Sequence, residues 1–349
     1  MALHTMNGAL AIDAANEIDT IVSTMREQVL GTLRKRGVVV GISGGIDSAV
    51  CAALAVRTFG ANRVFGIFMP EHHSADESLE LGQLLANQLG IATAIEDIGP
   101  GLEALGCYRR QVDAIKTIVP DYDRGWKCKL VLPSILATER LNVFQLTVQS
   151  PDGAKQTVRL PLDAYLALVA ATNMKQRTRK LIEYTHGDRL NYAVIGTPNR
   201  LEYDQGFFVK QGDGAADVKP IAHLYKTQVY ALAKALGVPA EIQARPPTTD
   251  TWSLEQTQEE FFFALPYAKL DLCLWAHDHG IAAAEVAPRV GLEPSQVERV
   301  FKDIDAKRRA TRYLHMPPLL IAPVEGVDAH APRESGPQVA GVMNAAAER

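Results

Sequence analysis

The chain has 349 residues, of which 47% are hydrophobic and 22% charged, and its formal net charge is -4. This composition is typical of a soluble globular protein with a full core, and it argues against a general nucleic-acid binder, whose basic face usually dominates. The four cysteines are scattered without a Cys-x-x-Cys pair, which argues against a structural zinc site or a redox dithiol and suits a reducing cytoplasm. We find neither a charged-then-apolar leader nor an apolar run of about 18 residues, so we expect no contact with a membrane.

Helices and strands are predicted to alternate along the chain. Apolar residues at helical spacing predict a helix over residues 14–35, and the β-branched run Val38–Val40 predicts the first buried strand. The same patterns predict strands over residues 63–69, 91–98 and 193–197, and helices over residues 49–59, 75–89, 174–184 and 225–236. Alternation at this spacing predicts an α/β fold, in which a doubly wound parallel sheet carries helices on both faces.

One segment interrupts this alternation. Residues 142–162 contain two runs of alternating polar and apolar side chains around Pro151-Asp152-Gly153, which predicts an inserted β-hairpin. The hairpin is interpreted either as a decorated surface loop or as a lid or docking surface for a partner. We expect one domain over residues 1–325 and a disordered tail over residues 326–349, which are rich in Ala, Gly, Pro and charge.

The residues after the first strand form a candidate phosphate-binding loop. Its sequence is Gly41, Ile42, Ser43, Gly44, Gly45, Ile46, Asp47, Ser48. The adjacent glycines let the backbone approach an anion, and a helix that begins near Asp47 or Ser48 points free N–H groups at the same place. The carboxylate of Asp47 could hold a magnesium ion against the phosphates. The loop lacks the lysine of a Walker A loop and does not match the dinucleotide-binding glycine pattern.

A second cluster follows the predicted strand at residues 193–197. Glu202 lies in the loop that should open at the same edge of the sheet, where it could share a magnesium ion with Asp47. Lys226 opens the next predicted helix, a position where the helix dipole disfavours a cation unless an anion lies nearby. Each of these two side chains could instead be a solvated surface charge. Upstream, Lys175 and Arg179 are four residues apart and share a helix face, while Arg177 points elsewhere.

Together these motifs resemble the NAD synthetase family within the ATP pyrophosphatase (PP-loop) superfamily. The loop Gly41–Ser48 is similar to the family's pyrophosphate loop, and residues 196–217 are similar to its signature block in residue type and spacing. Residues 224–229, 236–239 and 246–250 continue that block in register. The resemblance runs from about Ile18 to Pro317 and implies an adenine nucleotide alpha hydrolase-like fold.

The resemblance implies an ATP-dependent ligase that amidates nicotinic acid adenine dinucleotide with ammonia. An acyl-adenylate would form with release of pyrophosphate, and NAD and AMP would follow. The loop would contact ATP together with Thr197, Lys226 and Thr248, with Asp47 and Lys226 as catalytic residues and Asp47 and Glu202 as Mg²⁺ ligands. The residues implied to bind the dinucleotide are Arg177, Lys210, Asp217 and Lys307. Family members are typically homodimers, and the dinucleotide site lies partly at the subunit interface.

Three departures from the family pattern leave alternatives open. The hairpin is additional, an acidic position of the family is Gln258 here, and a histidine that often precedes the C-terminal Lys-Arg is Ala306. A related adenylate-forming amide ligase that acts on a different carboxylate is therefore the second hypothesis, and a catalytically silent nucleotide-binding protein is the third. A tRNA-modifying enzyme is disfavoured by the negative charge and the unpaired cysteines. No glutaminase domain is evident, so the nitrogen source is free ammonia or a separate glutaminase subunit.

Overall fold

The computed structural model describes residues 8–131, 144–248, 251–254, 257, 262–263 and 265–324. The chain divides into two compact units, Met1–Leu314 and His315–Arg349. Within the described ranges, no helix is long and apolar enough to cross a membrane. The predicted disordered tail lies outside these ranges and stays a prediction.

A four-stranded parallel sheet lies at the centre of the first unit. Its strands are β1 (Val38–Gly41), β2 (Val64–Phe68), β3 (Ala92–Ile95) and β7 (Ala193–Ile195), in the order β3-β2-β1-β7. The predicted parallel α/β sheet is therefore confirmed. Because β1 and β7 are neighbours, the loops that follow these two strands open beside each other at one edge of the sheet.

Helices cover the sheet because alternate side chains of β1 are buried on opposite faces. Val38 and Val40 join the main apolar core, whereas Val39 is fully buried without belonging to it. The helices in chain order are α1 (Ala14–Arg26), α2 (Ile46–Phe59), α3 (Asp76–Leu89), α4 (Gly99–Ala104), α5 (Cys107–Lys116), α6 (Leu162–Leu190), α7 (Arg200–Gln205), α8 (Lys226–Ala235), α9 (Ala240–Ala244), α10 (Tyr267–Asp278), α11 (Ala283–Val290) and α12 (Pro294–Thr311). Shorter pieces are a π-helical turn at Glu27–Thr32 and 3₁₀ turns at Ala61–Arg63 and Arg312–His315.

The boundaries of three predicted helices were wrong. The helix predicted over residues 174–184 extends over Leu162–Leu190, 29 residues, because the Ala- and Leu-rich stretch before Met174 continues the helix directly from Pro161 at its N-cap. The helix after the phosphate loop begins at Ile46, slightly earlier than expected, with Gly45 as its N-cap. The helix predicted over residues 14–35 changes to π-helical geometry at Glu27 and ends at Thr32.

The predicted hairpin belongs to a small antiparallel sheet. Its strands β5 (Gln145–Gln149) and β6 (Lys155–Arg159) are paired as predicted, and a strand that the sequence analysis missed, β4 (Lys127–Val131), pairs with β5. Leu130, Leu146 and Val148 are fully buried in a separate apolar cluster that includes Leu168 of α6. The hairpin therefore packs on the N-terminal half of α6. Residues 142–143, at the start of the predicted range, lie outside the described part.

Candidate active site

The predicted phosphate loop is a tight turn between β1 and α2. Gly44 has φ +74°, and a Cβ at this position would collide with the backbone carbonyl oxygen of Ser78. The hydroxyl of Ser48 donates to the carbonyl of Gly45 (3.0 Å) and accepts from the backbone N–H of Ser43 (3.2 Å). These contacts fix the loop so that the N-terminus of α2 faces the site, as binding of a phosphate requires.

Asp47 lies on the first turn of α2 and connects the loop to two other elements. The ammonium of Lys226, the first residue of α8, forms an ion pair with the Asp47 carboxylate. The side-chain amide of Asn199 donates to the other oxygen of Asp47 (3.2 Å), and the backbone N–H of Asn199 donates to Glu202 (3.1 Å). Asn199 thus bridges the two carboxylates predicted to share a metal, and the structure brings both together with Lys226.

The charges of this cluster shift the pKa values of Glu202 and Lys226. Burial, followed by the negative charge of Asp47, raises the pKa of Glu202 to about 8, although Lys226 acts in the opposite direction. Burial alone would lower the pKa of Lys226, but the charges of Asp47 and Glu202 outweigh it and the net shift is upward. Lys226 therefore keeps its positive charge. Additional positive charge beside the two carboxylates would stabilise their ionised forms.

Lys226 is fixed by a residue that the sequence analysis missed. Asp271 of α10 is fully buried and accepts from the backbone N–H groups of Lys226 (3.3 Å) and Thr227 (2.8 Å). Burial raises the pKa of Asp271 to about 6. Its carboxylate caps the free N–H groups of the first turn of α8, but it lies 45 residues downstream, where no local capping pattern could reveal it.

One cavity of about 420 Å³ opens onto the phosphate loop and the Asp47–Lys226 pair. Every predicted ATP-binding residue except Gly44 lines it, and the predicted metal ligand Glu202 does too. The members are Gly41, Ile42, Ser43, Gly45, Ile46, Asp47, Ser48, Thr197, Lys226 and Thr248. Gly44 instead packs against Ser78, which itself lines the cavity. The predicted ATP-binding set therefore surrounds one space, and a cavity of this size suits a small ligand.

Helix α6 contributes a long stripe of side chains to the same cavity. Its lining residues recur at helical spacing: Tyr165, Val169, Thr172, Asn173, Gln176, Arg179 and Glu183. Glu183 lies against the loop, since a Cβ on Gly41 would be 3.0 Å from its carboxylate oxygen. Sequence reasoning named Asn173 and Arg179 only as part of a basic stretch and assigned none of these residues to the site. Arg245, which donates to the hydroxyl of Ser78 (3.0 Å), is a further cavity cation that it missed.

The four residues predicted to bind the dinucleotide do not line this cavity. Arg177 donates to the backbone carbonyl of Lys210 (3.3 Å), and the Lys210 ammonium donates to the carbonyl of Tyr313 (2.8 Å). Asp217 accepts from the backbone N–H of Val194 (2.8 Å). The fourth, Lys307, donates to the carbonyl of Phe262 (2.8 Å) and pairs with Asp303. The structure brings Arg177 and Lys210 together and gives Asp217 and Lys307 backbone partners elsewhere.

The residues described contain no group of three or more His, Cys, Asp or Glu side chains that could hold a metal ion. Asp47 and Glu202 are therefore a two-carboxylate set. Such a set fits magnesium, which takes one or two protein carboxylates and completes its shell with water and phosphate oxygens. The raised pKa of Glu202 fits the same conclusion, because a bound cation would relieve the two neighbouring negative charges.

Comparison with known sequences identifies the family. A model of the NAD synthase family matches residues 17–118 and 140–312. The chain belongs to the NAD synthase family. β4 lies between the two matched ranges, whereas the predicted hairpin falls inside the second of them. The segment that adds to the family is thus upstream of the one the sequence analysis singled out.

Close relatives within the family share most of their length with this chain. The NH(3)-dependent NAD(+) synthetase of Mesorhizobium japonicum is 64% identical over 311 residues, which cover 89% of this chain and 98% of the relative. That of Rhizobium rhizogenes is 60% identical over 326 residues, with coverage of 93% and 98%. The solved NH3-dependent NAD synthetase from Campylobacter jejuni has a TM-score of 0.58 at 23% identity and covers 89% of this chain and 100% of that chain, which shows a common fold.

Proposed function

We propose that this chain uses ATP to activate the carboxylate of nicotinic acid adenine dinucleotide, and that ammonia then converts the activated acid to the amide of NAD. The cluster of Asp47, Lys226 and Glu202 beside the phosphate loop supports this proposal most directly. Family membership, with close relatives named NH(3)-dependent NAD(+) synthetases, supports the identity of the substrates. A cytoplasmic location is part of the proposal, because the four buried free cysteines suit a reducing compartment.

The chemistry requires positioning and charge stabilisation rather than a protein nucleophile. A carboxylate is a poor electrophile, and transfer of AMP to one of its oxygens supplies a leaving group. The loop and the N-terminus of α2 would hold the phosphates so that the α-phosphorus meets the carboxylate. Lys226, which is 1% exposed and keeps its charge, would stabilise negative charge that develops on the phosphates as pyrophosphate departs. Ammonia would then displace AMP from the acyl carbon.

Asp47 and Glu202 would hold Mg²⁺ in this proposal. When bound, the ion supplies charge neutralisation to the triphosphate and orients it. The chain's own contribution is the arrangement of the two carboxylates: Asn199 bridges them, and α2 and α7 carry them on rigid helices. Because Lys226 already neutralises one carboxylate, the site would have a low affinity for the ion in the absence of ATP.

A homodimer and a dinucleotide site that includes Arg177, Lys210, Asp217 and Lys307 remain proposals from the family resemblance. The four residues lie outside the cavity, so in this arrangement they would have to exchange their present partners for the substrate or face it from a second subunit. Three exposed leucines of α6 support a subunit contact, since Leu162, Leu166 and Leu181 are 68%, 53% and 65% exposed.

The reaction is tested by supplying purified protein with ATP, magnesium, ammonium and the dinucleotide acid. Equal amounts of AMP, pyrophosphate and NAD are expected, and glutamine in place of ammonium should give no product without a separate glutaminase. Lys226→Met should lower kcat on the order of 100-fold or more. Lys234→Met is the matched control, because Lys234 is exposed near the end of the same helix.

Two outcomes separate the alternatives. Ammonium-dependent pyrophosphate release with another acid, and none with the dinucleotide, would support the related amide ligase. Tight ATP binding without pyrophosphate release in the presence of any acid would support the silent nucleotide-binding protein.

A further inference from the structure

Two arginines and two aspartates form an ion-pair network outside the cavity. Arg308 of α12 donates through Nε and Nη2 to the two carboxylate oxygens of Asp204 on α7 (2.7 and 2.6 Å). The same Nη2 donates to Asp278, the last residue of α10 (2.7 Å), and Arg200 of α7 donates to the other oxygen of Asp278 (2.8 Å). These four side chains do not line the cavity. Because two positive charges face two negative ones, the network joins three helices without adding net charge to the site.

Helix α7 carries the predicted metal ligand Glu202 between two residues of this network. Arg200 and Asp204 are four residues apart and share one face of the helix. Glu202 is two residues from each of them, so it lies on the opposite face, where it lines the cavity. A helix of six residues is too short to be stable by itself, and contacts with other elements therefore determine its orientation. The network holds the outer face of the helix whose inner face carries Glu202.

Helix α12 contacts α7 at two further places. Leu201 is fully buried in an apolar cluster that includes Ile304 of α12. Gly206, the C-cap of α7, has φ +70°, and a Cβ there would lie 2.2 Å from the Cβ of Thr311, the last residue of α12. Helix α12 therefore contacts α7 near both of its ends, and the ion pair of Arg308 lies between these two contacts.

The network also reaches the segment that carries Lys226. The guanidinium of Arg200 lies over the ring of Tyr225, 5.5 Å from its centroid, and Tyr225 is the N-cap of α8 directly before Lys226. The backbone N–H of Arg200 donates to the carbonyl of Leu224 (2.8 Å). These contacts fix the start of α7 relative to the start of α8. A displacement of α7 would therefore change the position of Glu202 relative to Lys226.

We propose that Arg308 is a positioning residue for the metal site. By pairing with Asp204, it fixes α7 so that Glu202 faces the ion that the proposed function places at Asp47. This inference rests on the proposed function and adds a residue to it that touches neither the ion nor the substrates. Ion pairs that are partly open to solvent stabilise a fold only weakly, and the side chains of Arg308 and Asp204 are 30% and 14% exposed. The effect of the pair should therefore appear in binding of the ion rather than in unfolding.

Binding of Mn²⁺ gives a readout other than activity. The protein is saturated with a non-hydrolysable ATP analogue, and free Mn²⁺ is followed by electron paramagnetic resonance, with the analogue alone as the reference. Arg308→Gln should weaken Mn²⁺ binding about ten-fold, at the lower end of the effect of groups that orient metal ligands. Arg308→Lys keeps the charge but cannot form the two parallel bonds to Asp204, so its loss should be intermediate.

The matched control is Arg309→Gln, which removes the same charge from an exposed neighbour on α12. Its Mn²⁺ binding should stay within about two-fold of the wild type, as for most surface substitutions. Asp204→Asn breaks the same ion pair from the α7 side and should reproduce the loss seen in Arg308→Gln. The test therefore stands even if Arg308→Gln does not fold.

A double-mutant cycle tests whether Arg308 acts through Glu202. Glu202→Gln alone should weaken Mn²⁺ binding. Adding Arg308→Gln to it should cause no further loss, because the ligand that Arg308 positions is already gone. A further loss of about ten-fold in the double variant would show that the two residues act independently and would overturn the inference.

Steady-state kinetics distinguish positioning from general damage. Arg308→Gln should raise the Mg²⁺ concentration that gives the half-maximal rate about ten-fold, while kcat at saturating Mg²⁺ returns to near the wild-type value. A kcat that stays low at every Mg²⁺ concentration would indicate a merely structural role and would overturn the inference.

The results separate failure of this inference from failure of the proposed function. If Glu202→Gln weakens Mn²⁺ binding and neither Arg308→Gln nor Asp204→Asn does, the inference is wrong and the proposed metal site stands. If the wild-type complex binds no more Mn²⁺ than the analogue alone, the proposed metal site is wrong and the inference fails with it. The same conclusion follows if Glu202→Gln binds Mn²⁺ as the wild type does.

Discussion

Gly44 and Gly45 are adjacent glycines with different physical roles. Gly44 has a left-handed backbone and touches the backbone of Ser78, so any side chain there is strained and obstructed. Gly45 is the N-cap of α2 with φ -89°, and the nearest atom of the described residues to a Cβ on it would be the hydroxyl of Ser43, at 3.4 Å. A comparison of variants at the two positions therefore distinguishes the effect of the loop's backbone conformation from the effect of merely losing a glycine.

Gly44→Ala should abolish most ATP binding and lower the free energy of unfolding by about 1–3 kcal/mol. The matched variant Gly45→Ala should lose much less of both, because its backbone angle suits any residue. ATP affinity by calorimetry and urea denaturation measure the two effects. Equal losses in the two variants would contradict the argument from the Ser78 contact.

Gln205 of α7 is a second residue whose effect can be predicted from its surroundings. It is fully buried, and among the residues that the structure describes neither polar atom of its amide has a hydrogen-bond partner. A buried amide without partners costs about 1–3 kcal/mol, so an apolar residue of similar size should be better tolerated. Gln205→Leu is expected to raise the free energy of unfolding by about 1 kcal/mol in urea denaturation. A destabilised variant would show that the amide holds a buried water or a ligand.

At the scale of elements, Lys175 joins three segments around the cavity. Its ammonium is 1% exposed, pairs with the buried carboxylate of Glu71 (2.9 Å) and also contacts His73 (2.8 Å). The hydroxyl of Tyr108 donates to the second oxygen of Glu71 (2.8 Å). Together with the bond to the Thr251 carbonyl, these contacts tie α6 to the segments that carry Ser74 and Trp252 into the cavity.

Lys175→Met should destabilise the protein by about 3–5 kcal/mol, because it leaves the buried carboxylate of Glu71 without its counter-ion. Adding Glu71→Gln to this variant removes the unpaired charge and should recover part of the loss. Urea denaturation of both variants measures the difference. A double variant that is less stable than Lys175→Met alone would contradict the ion-pair explanation.

His73 makes the stability of the same cluster depend on pH. Burial, followed by the positive charge of Lys175, lowers the pKa of His73 from 6.5 to about 4. Between these values the unfolded chain binds a proton that the folded chain does not, so stability falls as the pH falls. Between pH 7 and 4.5 the loss from this residue should be about 2 kcal/mol. His73→Gln, which still offers Lys175 an acceptor, should show that much less decline in urea denaturation; an unchanged slope would exclude His73 as its source.

How far the sequence predicted these elements depended on whether the signal was local. The tight turn between β1 and α2, the parallel sheet and the β5–β6 hairpin follow from patterns within a few residues, and each is confirmed, whereas phosphate binding by the turn stays a prediction. Asp271 was missed because its partners are distant in sequence, and β4 was missed because its edge-strand pattern is short. The first residues of α6 were not predicted as helix. Their Ala- and Leu-rich run is apolar, and it does not show which helix face will line a cavity.

For the whole molecule, the three exposed leucines of α6 predict the assembly state. Leu162, Leu166 and Leu181 lie within roughly 100° of arc around the helix, and each exposes more than half of its surface. If two subunits meet there, Leu166→Asp with Leu181→Asp should convert the dimer to a monomer in light scattering. Leu105→Asp, which alters an exposed leucine outside α6, is the control and should leave the assembly unchanged. A wild-type monomer at micromolar concentration would contradict the proposed dimer.

The unbroken course of α6 limits which insertions and deletions the sequence can accept. Because each residue turns a helix by about 100°, deleting a single residue between Val169 and Arg179 would rotate the side chains at one end of α6 out of the cavity while those at the other end stayed in place. A change of seven residues, about two full turns, would restore the register to within about 20°, and it would shift the distance between the two ends by roughly 10 Å. The helix therefore fixes the distance between the two ends of its row of cavity-lining side chains, and natural insertions should be confined to the loops around it.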